Sequence, residues 1–499
     1  MQQILIVQKL LVCKDREKMK KNSILISIAT ATILSSSACA SDLDARIAKL
    51  EQMVLAQQKT IAELKKNSIK KTEVTDTLET DFEELDERLE TVETKSLTDK
   101  IQLGLAMRVE ANNVETTYAD GSNPAVEDTI WRTKLNINMK AKIDENLKFT
   151  GRLSSYKNWG DSNEDNSAFA TIDSRQGRTP DNSSGIYLER AYLDWSMNPK
   201  SYIPVTMTLG RQPSSDGPSY QIKEGMTRKG TYDALAFDGA ADGIVFTANL
   251  NKMIQSTSAR IAYGTPSNTS NNGSATSTVE DTKVTGIFVD TSFKGIGSDN
   301  LVQVYHVMAK DFNADSSGVS GANDINVGDF DVSGLMFEVS DLNNFDFFVH
   351  YARSLAKPNG KTMDMSSMGG SATTGLLTSS VNDTDDKSGH AIWLGARYNF
   401  VNDWSVGAEY NKGSQNWFSF TYAPNDPLNK LSTRGTATEV YVSKAINKYA
   451  NIRLGYVDID YDYTGSGQHL GTPMAITSAL GTNVIKEKQN TYLTFNVLF

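Results

Sequence analysis

The sequence predicts an all-β transmembrane antiparallel barrel of about sixteen strands, preceded by an α-helical coiled coil. Three observations predict it. Apolar and polar residues alternate with period two in segment after segment between Ile101 and Phe499. The connections between those segments are alternately short and long. Ahead of them lie a leader-like stretch and then a heptad stretch free of Pro and Gly.

Composition narrows the function classes first. The chain has 499 residues, of which 39% are hydrophobic. No apolar run reaches ~18 residues, which excludes a helical membrane transporter. A net charge of −10 argues against a nucleic-acid partner. Cys13 and Cys39 are the only cysteines, so the body after them has no disulfide, thiol nucleophile, Cys-ligated metal or haem attachment. No cofactor is expected. Tyr (19), Phe (18) and Gly (35) all outnumber Pro (11), as many strands joined by polar loops require.

Residues 19–40 read as a secretory signal peptide. Lys20 and Lys21 form a basic start, Ile24 to Leu34 an apolar core, and Ala38-Cys39-Ala40 a cleavage signal before Ser41. Residues 1–18 then read as an over-called extension, with Met19 the start. Lipidation of Cys39 is the second reading, ranked below cleavage because Ser36 stands three before the cysteine where Leu is preferred.

Residues 41–93 read as a periplasmic coiled coil. Ile47, Leu50, Val54, Gln57, Ile61 and Leu64 recur at steps of three and four. Leu78, Phe82, Leu85, Leu89 and Val92 resume in the same frame, with a weak seam at Ser68, Lys71 and Thr75 between them. About fifty helical residues at ~1.5 Å each make a rod of roughly 75 Å. The competing reading is a single amphipathic helix along the barrel rim. Residues 94–100 are a polar linker.

The barrel spans 101–499. In its first strand Ile101, Leu103, Leu105, Met107 and Val109 alternate with Gln102, Gly104, Ala106, Arg108 and Glu110. In the next, Trp131, Thr133, Leu135, Ile137 and Met139 oppose Arg132, Lys134, Asn136, Asn138 and Lys140. The pattern recurs at Phe345–Tyr351, Ile392–Phe400 and Trp404–Tyr410. Expected strands are 101–111, 130–143, 147–156, 186–197, 203–210, 234–250, 256–263, 283–293, 300–311, 330–340, 344–353, 390–400, 403–412, 437–446, 449–461 and 488–499. Even-numbered connections are short, such as Asp144-Glu145-Asn146, Val401-Asn402 and Asn447-Lys448. Odd-numbered ones are long and rich in Gly, Ser, Asn and Asp. Short periplasmic turns and long external loops explain that alternation; a β-propeller or double sandwich does not. Fourteen or eighteen strands stay open, because 234–250 and 437–446 have ambiguous faces. Leu493, Phe495, Val497 and Phe499 form an apolar terminal face, with Phe495, Val497 and Phe499 the signal that barrel-assembly machinery reads. Trp195, Phe345, Phe400, Trp404 and Phe499 mark one interfacial girdle, and Trp131, Tyr351 and Tyr410 the other.

Signal, coiled coil and strand pattern together resemble bacterial porins. The stretches Gly210 to Ile244 (GRQPSSDGPSYQIKEGMTRKGTYDALAFDGAADGI) and Leu188 to Trp195 (LERAYLDW) resemble a porin-like outer-membrane family of unassigned function from Gram-negative bacteria. The resemblance covers most of the mature chain and brings neither a substrate nor catalytic residues.

In sixteen-stranded porins the third external loop folds into the lumen. Here that loop is Arg211 to Asp233, carrying Asp216, Lys223, Glu224, Arg228 and Lys229. Parity points Arg108, Arg132, Lys134, Lys140, Lys142, Lys148, Arg152 and Arg190 inward, with no carboxylate on the same faces of strands two and three. Placing those charges in lipid costs ~2–4 kcal/mol each near the midplane, which fixes the register. Such a wall prefers anions, unless Asp216 and Glu224 convert it to a transverse gradient. The four histidines, His306, His350, His390 and His469, lack metal spacing. His350 is the clearest inward one, and nothing in the sequence gives it the Ser and acid a hydrolase needs. The acidic stretches Asp161 to Asp165 and Asp383 to Asp386 lack a regular calcium loop.

The expected function is passive or weakly selective diffusion of small hydrophilic solutes through the outer membrane, not an enzyme activity. The alternative is a structural barrel whose coiled coil tethers the membrane to the cell wall or a periplasmic partner. Expected partners are outer-membrane lipid, two further copies in a homotrimer, and the assembly machinery.

Overall fold

The structure is a computed structural model and describes residues 51–60, 101–122, 125–126, 129–159, 186–213, 217–226, 228, 230–265, 280–293, 295–314, 325–364, 373–421, 425–477, 480 and 484–499. Contacts divide the chain into Met1–Thr94 and Lys95–Phe499. In the first unit residues 51–60, which include Val54, form an exposed α-helix. The other seam positions, Ile47, Leu50, Ile61, Leu64, Leu78, Phe82, Leu85, Leu89 and Val92, lie outside the described residues, as do the leader and the linker.

The second unit is a closed antiparallel barrel. Its wall strands are β1 (Ile101–Tyr118), β2 (Ile130–Lys142), β3 (Leu147–Asn158), β4 (Ile186–Ser196), β5 (Val205–Pro213), β6 (Ala240–Asn249), β7 (Thr257–Thr265), β8 (Lys283–Thr291), β9 (Asp299–Ala314), β10 (Ile325–Leu342), β11 (Phe345–Pro358), β12 (Lys387–Asn399), β13 (Trp404–Gly413), β14 (Gly435–Asn447), β15 (Ala450–Tyr461) and β16 (Ile485–Leu498). Seventeen strands share this sheet; Ala125–Val126 is a two-residue addition beside β1, and the other sixteen are the wall. Each wall strand pairs with the next, and β16 pairs with β1 from Ala106↔Leu498 to Tyr118↔Ile485, so no edge is left.

Each expected strand overlaps an observed one. The largest differences lie at the long-loop ends. β1 runs on to Tyr118 and β10 begins at Ile325, because backbone pairing continues beyond the apolar alternation. The stretch 234–239 is not wall: Ala234, Leu235 and Ala236 are fully buried in a loop inside the barrel. At the other end the turns are tight. Asp144 Oδ1 accepts from Asn146 N (2.6 Å) and Leu147 N (2.8 Å), and Asn343 and Asn344 adopt left-handed backbone between β10 and β11.

The outer face is apolar and exposed, from Leu103 on β1 through Ile261, Val304 and Val440 to Leu454 on β15. Trp195, Phe345, Phe400, Trp404 and Phe499 are exposed toward the short-turn end, and Trp131 and Tyr351 are exposed farther up the wall. Inward glycines admit tyrosine rings from the next strand: Gly407 faces Tyr441 and Gly455 faces Tyr492, where a Cβ would collide with the ring.

The lumen is not uniformly polar. On β8–β12 the inward positions include Phe288, Tyr305, Phe330, Phe348 and Trp393, all buried. They are covered by two loops rather than by water. The first, 214–239, joins β5 to β6; the second, 414–434, joins β13 to β14. Phe237, Phe418 and Phe420 pack with Phe288, Tyr305, Phe312 and Phe330, and Tyr220, Leu235, Trp417 and Leu431 pack with Phe348 and Trp393. The loops also bond each other. Phe237–Asp238 pairs in parallel with Phe420–Thr421, and Thr421 Oγ1 donates to the carbonyls of Ala234 (2.8 Å) and Leu235 (3.0 Å).

Candidate functional site

The first inserted loop carries one helical turn, Tyr220–Glu224, ended by Gly225 in the left-handed region at φ 64°. From that turn charged and polar groups reach the wall in three directions. Toward β10 and β11, Glu338 accepts from Gln221 Nε2 (2.9 Å) and Arg228 Nη1 (2.7 Å), and Ser219 Oγ donates to it. Toward β14, Lys223 Nζ donates to Glu439 at 3.3 Å. Toward β1 and β15, Glu224 lies between Arg108 and Arg453, the latter at 2.8 Å. Arg453 Nη1 also donates to the Lys223 carbonyl (3.0 Å), and Arg397 Nη1 on β12 to the Ile222 carbonyl (2.7 Å).

The second loop adds Lys430, whose ammonium donates to Glu409 (2.6 Å) and to Glu439. Burial pushes that ammonium down, but the two carboxylates outweigh it and hold its pKa well above the ordinary value. Burial likewise pushes the Glu224 carboxyl up, and the Arg108 and Arg453 guanidiniums outweigh it and hold it well below the usual carboxylate range. Both groups therefore stay charged and keep the loops fastened.

The sequence places Arg108, Arg132, Lys134, Arg152 and Arg190 on the inner wall, and they are there. Carboxylates reach Arg132, Arg152 and Arg190 from β1 and β4, not from the inward faces of β2 and β3. Arg132 Nε donates to Glu110 on β1 (2.7 Å); Arg152 and Arg190 both donate to Glu189 on β4, at 3.1 and 3.2 Å. A bulge sets Arg152 opposite Arg190 and Leu153 opposite Leu188, so Glu189 is the extra residue and turns inward beside Arg190. Lys134 donates to Asn425 of the second loop (2.9 Å). Lys140, Lys142 and Lys148 are exposed toward the short-turn end and make no ion pair among the described residues. Asp216 and Lys229 lie outside the described residues.

A cavity of about 130 Å³ remains between the loop and the wall of β1–β3 and β16. Its charged lining is Arg108, Lys134, Arg152, Lys223 and Glu224. A smaller one, about 20 Å³, continues past Glu110, Glu439 and Arg453.

Residues 125–499 match the family described as "Protein of unknown function (DUF3373)". The chain belongs to this family. The match spans both stretches, Leu188–Trp195 and Gly210–Ile244, that resembled a family without assigned function. No curated protein sequence matches. Similar solved structures include OmpT of Vibrio cholerae, an outer membrane protein folded in vitro, at 13% identity over 80% of this chain and 97% of that one with a TM-score of 0.41. They also include Pseudomonas putida OprB at high pH (9% identity, 81% and 96% covered, TM-score 0.46) and Salmonella typhi OmpF in complex with daunomycin (14%, 80% and 98%, TM-score 0.43).

His350 has the partners that the sequence did not supply. Its Nε2 lies 2.9 Å from Ser219 Oγ and its Nδ1 contacts Asp233, which also accepts from Tyr305 Oη (2.7 Å). The connectivity is that of a nucleophile, base and orienting acid. Yet all three side chains are fully buried, Ser219 Oγ also bonds Glu338, and neither cavity touches the trio. Here it anchors the loop. The residues missing from the sequence-based site are Glu338, Glu409, Glu439, Arg453 and Lys430. The wall residues among them occupy inward-parity positions on their strands, which is the signal that could have found them. Lys430 sits in the second loop with the aromatics Trp417, Phe418 and Phe420, and no motif singles it out.

Proposed function

We propose that this chain is an outer-membrane channel for small hydrophilic solutes, with a weak preference for anions. The observation that supports it is a closed barrel, apolar outside, with a charged loop folded across its lumen. The exposed apolar face and aromatic residues suit lipid, and the short turns suit the periplasmic side. The solute route runs along β1–β3 and β16, past Arg108, Lys134 and Arg152, toward Lys140, Lys142 and Lys148 at the short-turn mouth. Glu110 and Glu189 offset part of the wall's charge, which is why the preference is weak. A positive wall acts over about one Debye length, ~8–10 Å at physiological salt, so it weakens as salt rises.

Planar-bilayer recording tests this. The full-length protein is expected to give single channels with a reversal potential on the anion side in a KCl gradient. Lys134→Glu combined with Lys140→Glu is expected to move it toward cations. Channels that are clearly cation-selective, or unmoved by the double substitution, overturn the selectivity. A second reading is a closed structural barrel tethered through its coiled coil to the cell wall or a periplasmic partner. The observation favouring it is the apolar filling that both loops give the β8–β12 side. Silent bilayers from correctly folded protein would support that reading over the first.

A further inference from the structure

The 130 Å³ cavity has room for more than diffusing water, since one water needs about 10–15 Å³ on this measure. Apolar surface makes up most of its lining, and what marks the polar part is that it is built of hydrogen-bond donors. Arg108, Lys134, Arg152 and Lys223 can only donate hydrogen bonds. Three lining carboxamides then have their oxygens occupied by those cations: Asn138 accepts from Arg152 Nε (2.8 Å), Asn496 from Arg108 Nε (2.8 Å) and Asn425 from Lys134 Nζ (2.9 Å). The assignment is forced, because a guanidinium or ammonium cannot accept. The amide N–H ends must therefore point elsewhere. That of Asn496 goes to Asn451 (2.9 Å), while that of Asn138 meets no acceptor among the described residues. Among the described lining residues the one carboxylate, Glu224, is held by Arg108 and Arg453, while Glu189 and Glu439 pair with Arg152 and Lys223 from outside the lining. On the loop side the Tyr220 hydroxyl and Gln221 Oε1, both on residues more than nine-tenths buried, find no partner among the described residues.

We infer that this cavity is a binding site for one small multi-oxygen anion of phosphate size. A lining of donors asks for a ligand of acceptors, and several oxygens around one centre can meet Arg, Lys and amide donors together. The unpartnered Gln221 Oε1 suits the single O–H of a monoprotonated oxyanion. This deepens the channel reading of the same lumen by making passage of such an anion saturable.

The test is equilibrium dialysis of inorganic phosphate against the detergent-solubilised full-length protein, run beside bilayer recording. Saturable binding is expected, one phosphate per chain, with chloride a poor competitor. Lys134→Met is expected to weaken it about tenfold or more, the usual worth of a charged hydrogen bond. Asn138→Asp keeps the bond from Arg152, so the wall holds its shape, and adds a negative charge to the lining; it is expected to abolish binding. Lys252→Gln, in the β6–β7 turn, is the unchanged control. No saturable phosphate binding by the wild type, or wild-type binding by Asn138→Asp, overturns the site. A protein that conducts without binding phosphate loses the site and keeps the channel. One that binds phosphate and does not conduct keeps the site and loses the channel.

Discussion

Lys430 shows what a single side chain does in this lumen. It is 1% exposed, and its ammonium lies between Glu409 and Glu439, two carboxylates from adjacent wall strands that repel each other without it. Met at this position would match the length and remove the charge. Breaking a buried ionic cluster by deleting one partner costs about 3–5 kcal/mol. Lys430→Met is therefore expected to lower the unfolding midpoint of the solubilised barrel and to loosen the second loop, read as faster proteolysis between β13 and β14. An unchanged midpoint and digestion pattern would show that the loop is fastened by its aromatics alone. Inward residues of this kind are legible from parity once a strand is placed, as Arg108 and His350 were. Their partners are not. Glu224 meets Arg453, and Ser219 meets His350, across stretches of chain that carry no local pattern relating them.

At the scale of elements, the strands are readable because lipid outside and polar groups inside impose period two, and because tight turns and long loops take turns along the chain. The bulge at Glu189 is not readable, since one inserted residue leaves the alternation on either side intact. The first inserted loop is found by counting strands. The second, 414–434, escapes because its apolar residues follow neither period. The geometry of the first loop depends on Gly225. Any Cβ there would both strain a left-handed backbone and collide with the Arg397 guanidinium. Gly225→Val is expected to break the Arg397 bond to the Ile222 carbonyl and free the helical turn. The expected readout is a larger or noisier single-channel conductance with the barrel still heat-stable. Identical traces would mean that the turn is held from Lys223 and Glu224 onward.

For the whole molecule, the heptad seam from Ile47 to Val92 is the proposed basis of a homotrimer. Ile47→Asp with Leu85→Asp is expected to lower the oligomeric state in sedimentation while leaving barrel folding intact. A wild type that sediments as a monomer removes the idea. One feature of the barrel also sets a timetable. β1 and β16 lie at opposite ends of the barrel sequence, and the backbone of Leu105 exchanges hydrogen bonds with that of Phe499 at 2.7 and 2.9 Å. The joint has the largest sequence separation of any wall pairing, so it is the slowest to find by diffusion. Until β16 has been synthesised, the nascent sheet carries two long unpaired edges with an oily face, which invites clumping with other chains. Chains truncated before β16 are therefore expected to aggregate where the full-length chain folds, read as loss of soluble refolded protein in detergent.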